Sequence, residues 1–480
     1  MGRNAKIKIS GYTGAVGLLA AASVIFLILS LLSEGGLYGG DSYQHYLIAK
    51  YAFAHPENYL NHWGKPLFTL LASPFAYFGF HAMMLFNILV CAAASYVTLL
   101  TVRKLNYDNL PMVVVFTVFT PVYILLMFSG LTEAVFSLLL IASVYLFVDK
   151  KYIFTAILIS LIPFVRSEGF MFICWFFILF LIKRQYKAIP FLLFGVLFYS
   201  VLGGLIAGNF LWLISDNPYK AVGSIYGHGS LFQYITGVPS TFGMMVFLLA
   251  IIGFIVINLH YFKWKKSGKE DLVSFNELFV ISFSAIGYFI FHSVVWWQGW
   301  LSVMGDARFM AAIVPLMSIM ALKGFNTAII FIHKPKIGMV ITLLVAGVVI
   351  LSGFDRHKLP VTLQKEDKVV KQAVDWVKSH GYDRNQVIYF NPIIPVLLNK
   401  DPFDGKQLFS SVSDPNNPEV GVEKNAVIVW DTHFSEFESK IALDKMLENP
   451  NYQLLQIFLP DPPFKIFGKM DFRVAVFIRK

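Results

Sequence analysis

The residues best suited to chemistry fall in four short stretches. The first reads Gly39, Gly40, Asp41, Ser42, Tyr43, Gln44, His45 and Tyr46, and continues through His55, Asn61, His62, Trp63, Gly64, Lys65 and Pro66. The others are Leu131, Thr132 and Glu133; Val165, Arg166, Ser167, Glu168 and Gly169; and Asp306, Ala307 and Arg308. Asp41 follows two glycines that permit a tight bend. A carboxylate held there can take the proton from an attacking hydroxyl, a contribution of roughly a hundredfold to ten-thousandfold. Lys65, Arg166 and Arg308 can neutralise a departing phosphate. Each group also has a plainer role. Asp41 can cap a helix suggested by Tyr43 to Ala54, Lys65 can anchor an interface beside Trp63, and Glu133 can complement a helix dipole. Arg166 with Glu168, and Asp306 with Arg308, can be local ion pairs. His45, His62 and His228 lack metal-ligand spacing, so no metal site is expected. Trp296, Trp297 and Trp300 read as an interfacial belt, and Asp431 and His433, after a strand, as surface residues.

The elements that must position these groups are membrane helices. Of 480 residues 57% are hydrophobic and 14% charged, against about 25% charged in an ordinary soluble domain. Apolar segments run from Gly11 to Leu32, Pro66 to Val102, Leu110 to Gly130, Leu131 to Val148, Tyr152 to Val165 and Gly169 to Ile182. They continue from Pro190 to Ile214, Phe242 to Phe262, Leu278 to Trp297, Phe309 to Ile332 and Ile337 to Phe354. At roughly 20 residues per crossing these read as about eleven spans. Within Pro66 to Val102, residues Pro66 to Tyr77 form a half-inserted helix before the crossing. The first segment follows Arg3, Lys6 and Lys8 without a small-residue cleavage site and reads as a retained span.

The net charge of +10 resides in clusters between spans, which excludes the basic face of a nucleic-acid binder. Arg103 with Lys104, Lys150 with Lys151, Lys183 with Arg184 and Lys187, Lys263 with Lys265 and Lys266, and Lys334 with Lys336 all fall on the side of the N-terminus, as the positive-inside rule requires. The loops around Asp41, Ser129, Arg166, Tyr226 and Asp306 fall on the other. Basic clusters at both ends of Tyr152 to Ile182 favour a hairpin with Arg166 and Glu168 at its tip, since one helix would put a cluster outside. A charge near bilayer depth costs roughly 2.5–3.5 kcal/mol, which favours a functional role for the pair. Cys91 and Cys174 lie in apolar segments, leaving no disulfide framework. After Phe354 the composition becomes mixed and soluble, with a helical face of Val369, Val370, Ala373, Val374 and Val377. Strands are expected at Gln386 to Phe390, Ala426 to Trp430 and Arg473 to Ile478, and a second helix around Phe437 to Leu447. The expected architecture is a polytopic α-helical membrane protein, residues 1–354, with a small C-terminal α/β soluble domain, residues 355–480, outside the cytoplasm.

These residues resemble the GT-C superfamily of membrane glycosyltransferases, in its mannosyltransferase and protein O-mannosyltransferase-like branches. The likeness rests on Asp41, Tyr43, His45, Tyr46, Ile48 and Ala49 after the first span, then Lys65, Pro66 and Leu67, with Phe78 and Gly79 further on. It continues in Leu131 to Phe136, in Val165 to Gly169, and in Asp306 to Phe309 with Pro315. The resemblance covers roughly Gly11 to Ile332. It implies a GT-C-like fold and inverting transfer of a sugar, mannose or another hexose or pentose, from a polyprenyl-phosphate carrier to a hydroxyl of a glycan, lipid or protein. The site lies on the non-cytoplasmic face, in the periplasm if the membrane is a bacterial inner membrane. Asp41 is then the catalytic base; Arg166, Lys65 and Arg308 meet the donor phosphate; and Tyr43, His45, His62, Glu133, Glu168 and Asp306 support the substrates. Many relatives carry two neighbouring acids in the first loop, whereas Ser42 and Tyr43 follow Asp41 here, so metal-independent transfer is expected. The rival expectation is a transporter or flippase for lipid-linked sugars, for which interrupted midplane helices or internal repeats would be the sign.

Overall fold

A computed structural model describes residues 3–216, 227–266, 271–301 and 303–480. The loop around Tyr226 lies outside the described residues. Helix α1 (Arg3–Leu31) leads to α2 (Gly39–Lys50), α3 (Pro66–Ala76) and α4 (Phe80–Lys104). The apolar stretch from Pro66 to Val102 is therefore an 11-residue helix followed by a 25-residue one, as read from the sequence. Pro66 occupies the first helical position of α3, where its missing N–H is no loss. Arg103 and Lys104 end α4, where cations complement the exposed carbonyls.

Seven helices among the described residues are long and apolar enough to cross a membrane, and a bent pair makes an eighth. The chain is thus an integral, multi-pass membrane protein. The bent pair is α5 (Leu110–Val118) and α6 (Pro121–Met127), which meet at 65°. Pro121 cannot continue the helical ladder. The groups freed at the break are met from elsewhere: Val122 N–H donates to the Thr241 carbonyl (3.1 Å) and the His357 ring bonds the Pro121 carbonyl (3.0 Å). Without water, such satisfaction is what makes a broken helix tolerable in a membrane. Helices α7 (Glu133–Val148), α8 (Tyr152–Leu161), α9 (Phe170–Ile182) and α10 (Phe194–Ala207) follow. Between α8 and α9 the chain turns through Arg166, and Gly169 is packed so closely that a Cβ there would lie 2.6 Å from the Pro163 nitrogen.

The C-terminal unit opens with the helix Lys365–Ser379, whose Val369, Val370, Ala373, Val374 and Val377 are buried as its sequence pattern requires. Strands β1 (Val387–Tyr389), β2 (Leu408–Ser410), β3 (Val427–Asp431), β4 (Tyr452–Phe458) and β7 (Val474–Arg479) form a sheet in the order β2-β1-β3-β7-β4. β5 (Lys465–Ile466) and β6 (Met470–Asp471) form a separate ribbon. β1 pairs in parallel with β2 and β3, and β7 antiparallel with β3 and β4. The second helix expected at Phe437 to Leu447 is corrected. A wide turn occupies Thr432–Glu438 and a six-residue helix spans Leu443–Glu448, because Trp430 Nε1 donates to the Ile441 carbonyl and holds 439–442 irregular.

Two glycines seat this unit on the membrane part. A Cβ on Gly40 would lie 2.5 Å from the Phe434 ring, and one on Gly39 would lie 3.1 Å from Asp367 Oδ2. Glu34 N–H donates to the Val361 carbonyl (2.8 Å), Val361 N–H to Ser33 Oγ (2.9 Å), and the His55 ring meets Asp401 (2.9 Å).

Helices Met244–Lys266 and Val314–Ile330 pack through small residues, as membrane helices do. A Cβ on Gly253 would lie 1.9 Å from the Met320 carbonyl oxygen, and one on Gly324 would lie 2.0 Å from that of Leu249. Gly324→Val is expected to force the pair apart, at roughly 1–3 kcal/mol or more, and to lower the thermal unfolding midpoint measured in detergent. An unchanged midpoint would show that the two backbones are not in contact.

Candidate active site

The first turn of α2 presents Asp41 beside the start of the helix Val314–Ile330. Asp41 is not the N-cap, because the helix begins at Gly39 and Tyr38 precedes it in the left-handed region with φ 56°. Its carboxylate is free of backbone duty, and Oδ2 meets Nη2 of Arg308 at 2.5 Å. Arg308 Nε lies 3.3 Å from Asp306 Oδ2 and 3.5 Å from Glu133 Oε1. The same Glu133 oxygen accepts from Arg166 Nη1 at 2.7 Å, and Arg166 Nε donates to Glu168 Oε1 at 2.5 Å. Six of the expected residues, Asp41, Asp306, Arg308, Glu133, Arg166 and Glu168, thus form one chain of alternating charge. Glu133 at its centre is wholly buried, whereas 40% of the Asp41 side chain is exposed.

Local sequence explains why these groups converge. Asp306 accepts from the Arg308 backbone N–H (3.2 Å), which fixes the start of the turn Ala307–Ile313. Glu133 opens α7, and Arg166 occupies the turn before α9. Phe309 supplies a ring below both cations, 4.7 Å from the Arg166 guanidinium and 5.5 Å from that of Arg308, an arrangement that favours planar cations.

Partial burial works to raise the Asp41 pKa, but the Arg308 guanidinium outweighs it, helped by Arg166, and the carboxyl sits below its ordinary range. It is therefore ionised at neutral pH. Lys65, with φ 63° just before α3, is lowered to about 8, first by burial and then by Arg166, against the pull of Glu168, Glu133 and Asp41. His45 stacks on Trp63 with ring centres 4.4 Å apart. Burial drives its pKa down to about 3, so it is neutral. Tyr43 lies behind the site, its hydroxyl accepting from Gly36 N–H (3.3 Å) and its ring on Phe80. His62 is not brought into the network: its ring packs on Trp212 (4.5 Å) and bonds the Trp212 carbonyl.

Two spaces of opposite character flank the charged chain. On the water side is a cavity of about 240 Å³, lined by Tyr38, Asp41, Asp306 and Arg308 and, from the C-terminal unit, by Glu366, Asp367, Asn391, His433, Phe434 and Phe467 among others. On the lipid side, between α9 and the helix Phe283–Gln298, is an apolar cleft of about 360 Å³ whose walls include Phe172, Trp175, Phe283 and Ile290. Phe172 stacks on Tyr288 (5.7 Å), whose hydroxyl reaches Glu168 Oε1 (3.5 Å). The cleft therefore ends one residue layer from the ions. Tyr38, which donates to Asp306, and Glu366, Asp367, Asn391, Phe434 and Phe467 on the cavity wall carried no mark in the sequence. Asp431 and His433, expected as surface residues, are corrected: Asp431 is buried, and His433 is half-buried on the cavity wall.

No family model and no curated protein matches the sequence. Solved structures do. ArnT from Cupriavidus metallidurans, bound to undecaprenyl phosphate, aligns with a TM-score of 0.59 at 11% identity over 96% of this chain and 98% of its own. The Archaeoglobus fulgidus oligosaccharyltransferase in its apo form aligns with a TM-score of 0.54 at 11% identity over 87% and 69%. AglB from the same organism, in complex with an inhibitory peptide and a dolichol-phosphate, aligns at 0.53 and 11% identity over 86% and 69%. These are membrane glycosyltransferases of the GT-C superfamily, and the chain has their fold.

Glu133 is the one anion within 4 Å of both guanidiniums among the described residues. Glu133→Gln removes the buried anion that the two guanidiniums share, and breaking a buried pair from one side costs roughly 3–5 kcal/mol. The lower figure is expected here because Arg166 keeps Glu168 and Arg308 keeps Asp41 and Asp306. Thermal unfolding in detergent measures it, and a midpoint equal to the parent's would contradict the buried-pair account.

Proposed function

We propose that the chain is a glycosyltransferase that moves a sugar from a polyprenyl-phosphate carrier to an acceptor hydroxyl, on the non-cytoplasmic face of the membrane. One observation carries the proposal: the chain of ions begins at Asp41 and Arg308 on a water-facing cavity and ends at Glu168, which Tyr288 and Phe172 separate from an apolar intramembrane cleft. A lipid-linked sugar is itself divided in this way, into a hydroxylated ring, an anionic phosphate and a hydrocarbon tail. Ring, phosphate and tail suit the cavity, the cations and the cleft in that order. ArnT bound to undecaprenyl phosphate and AglB with dolichol-phosphate have the same fold, which supports a carrier of that class.

In the proposed reaction the acceptor oxygen bonds to the anomeric carbon on the face opposite the phosphate. The bond from that carbon to the phosphate oxygen breaks, with its electron pair staying on the phosphate and configuration inverting. Arg308 and Arg166, with Lys65, stabilise the charge that develops there. As the leaving phosphate draws on Arg308, the ion pair that keeps Asp41 weakly basic loosens. Its affinity for a proton rises as the acceptor hydroxyl gives one up. Because Arg308 already supplies positive charge beside Asp41, transfer is proposed to need no divalent metal.

The orientation rests on α7. From Glu133 to Val148 it has 16 residues, about 24 Å at 1.5 Å per residue. At its far end Asp149 pairs with Lys104 (2.5 Å) and Lys151 (3.1 Å). That basic end is assigned to the cytoplasm, which leaves the site and the C-terminal unit outside, in the periplasm of a bacterial inner membrane. The acceptor is a glycan, lipid or protein that presents a hydroxyl there.

Membranes containing the protein, supplied with a panel of radiolabelled polyprenyl-phosphate sugars, are expected to transfer label from at least one donor. Asp41→Asn is expected to slow that transfer by a hundredfold or more, and EDTA to leave the parent rate unchanged. An Asp41→Asn protein as fast as its parent would remove the assignment, and loss of transfer on chelation would remove the metal-free mechanism.

A further inference from the structure

The outer wall of the cavity carries an acceptor atom with nothing bonded to it. Asp367 lies in the first turn of the helix Lys365–Ser379 and lines the cavity. Its side chain is almost enclosed, with 5% of the residue exposed, and its Oδ2 has no hydrogen-bond partner. Native structures seldom leave a buried polar atom unpaired unless a ligand or function accounts for it. Across from it is Gly39, two residues before Asp41, whose lack of a side chain leaves room at Asp367 Oδ2. Phe434 and Phe467 contribute aromatic rings to the same wall.

Granted the glycosyl transfer proposed above, we propose that this cavity holds the sugar ring of the donor. Asp367 accepts a hydrogen bond from one of the ring hydroxyls, so that the C-terminal unit selects the sugar, and that sugar bears no acidic substituent. Pockets for drug-sized ligands measure roughly 300–1,000 Å³, whereas this cavity measures about 240 Å³, a size that suits a single ring. Aromatic rings offer a flat apolar surface to the C–H face of a sugar, and carboxylates offer acceptors to its hydroxyls. Asp41, Asp306, Glu366, Asp367 and Glu438 face the cavity against Arg308 and His433. A uronic acid would add a negative charge to that excess.

The groups facing Asp367 are Glu366 on its own helix, Asp431 and His433 from β3 and the turn after it, and Tyr43 from α2. Burial, then Glu366 and Asp431, push the Asp367 carboxyl up to about 7, with His433 opposing them. The ionised carboxylate, the stronger acceptor, is present above that pH and lost below it.

The test uses the full-length protein in nanodiscs and two probes: bare polyprenyl phosphate, and polyprenyl-phosphate sugars of neutral and uronic type. Asp367→Asn is expected to bind the bare phosphate within twofold of the parent. Its KM for the neutral-sugar donor should rise on the order of tenfold, as for loss of one hydrogen bond to a charged group. Asp367→Glu should recover part of that loss. Parent KM is expected to rise as pH falls through about 7, and this dependence should vanish in Asp367→Asn. In Glu366→Gln, which keeps Asp367 itself and serves if Asp367→Asn does not fold, the dependence should move to lower pH. Parent-like KM and pH dependence in Asp367→Asn, an unmoved limb in Glu366→Gln, or equal use of the uronic donor would overturn the inference while leaving glycosyl transfer intact. A parent protein that transfers no sugar from any donor would overturn both.

Discussion

A carboxylate enclosed between two guanidiniums governs the membrane half of this protein. Glu133 has no access to solvent, and a carboxylate so enclosed is costly unless cations stay beside it. Arg166 lies 2.7 Å away and Arg308 3.5 Å away. Each belongs to a different segment: the turn between α8 and α9, and the entry to the helix Val314–Ile330. Meeting at one anion ties three distant parts of the chain to one point. The outer carboxylates then follow, since each guanidinium has donors left over, which Glu168, Asp306 and Asp41 accept. Only the last of these is substantially exposed, its side chain at 40%. The buried members behind it fix the position of that exposed carboxylate.

The same arrangement sets the boundary between two solvents. Below the ions, Phe172 and Tyr288 close a cleft with almost no polar surface. Above them the walls include carboxylates, two amides, a histidine and aromatic edges. An ion network is stable at that boundary, because one side supplies low dielectric to strengthen each pair and the other relieves part of the desolvation. The C-terminal unit completes the wet side. It is held close by Gly39 and Gly40, where any side chain would meet Asp367 or Phe434, and by backbone bonds through Val361.

Much of this was legible because lipid makes charge conspicuous. Glu133, Arg166, Glu168, Asp306 and Arg308 stand in otherwise apolar surroundings, where each ion needs a reason, and the structure brings all five together with Asp41. Hydropathy likewise marked the short helix Pro66–Ala76 and the turn at Arg166. The C-terminal unit was harder to read. Its first helix and three of its strands showed in the periodicity, but β2 is three residues long and β4 is exposed along most of one edge. Asp367 and His433 are charged residues in a soluble, charge-rich segment, so nothing in their types set them apart. Their place on the cavity wall arises from docking, which depends on contacts between residues more than 300 positions apart. His62 illustrates the converse. It belongs to a polar loop beside Lys65, yet Trp212 takes its ring away from the ions.

A difficulty of such a site is that a carboxylate good at pairing with arginine is poor at accepting a proton. Arg308 holds the Asp41 pKa below its ordinary range, which ensures that it is ionised but makes it a weak base. The tension is resolved if the partner is shared rather than owned. Arg308 also faces Glu133 and Asp306, so its charge is balanced without Asp41, and a phosphate that gains negative charge can draw on it at little cost. In the proposed transfer the proton affinity of Asp41 then follows the progress of the reaction. In that transfer this is why the outermost anion in the chain, rather than the buried Glu133, serves as the base. Glu133 cannot lose a cation without being stranded, whereas Asp41 has water to fall back on.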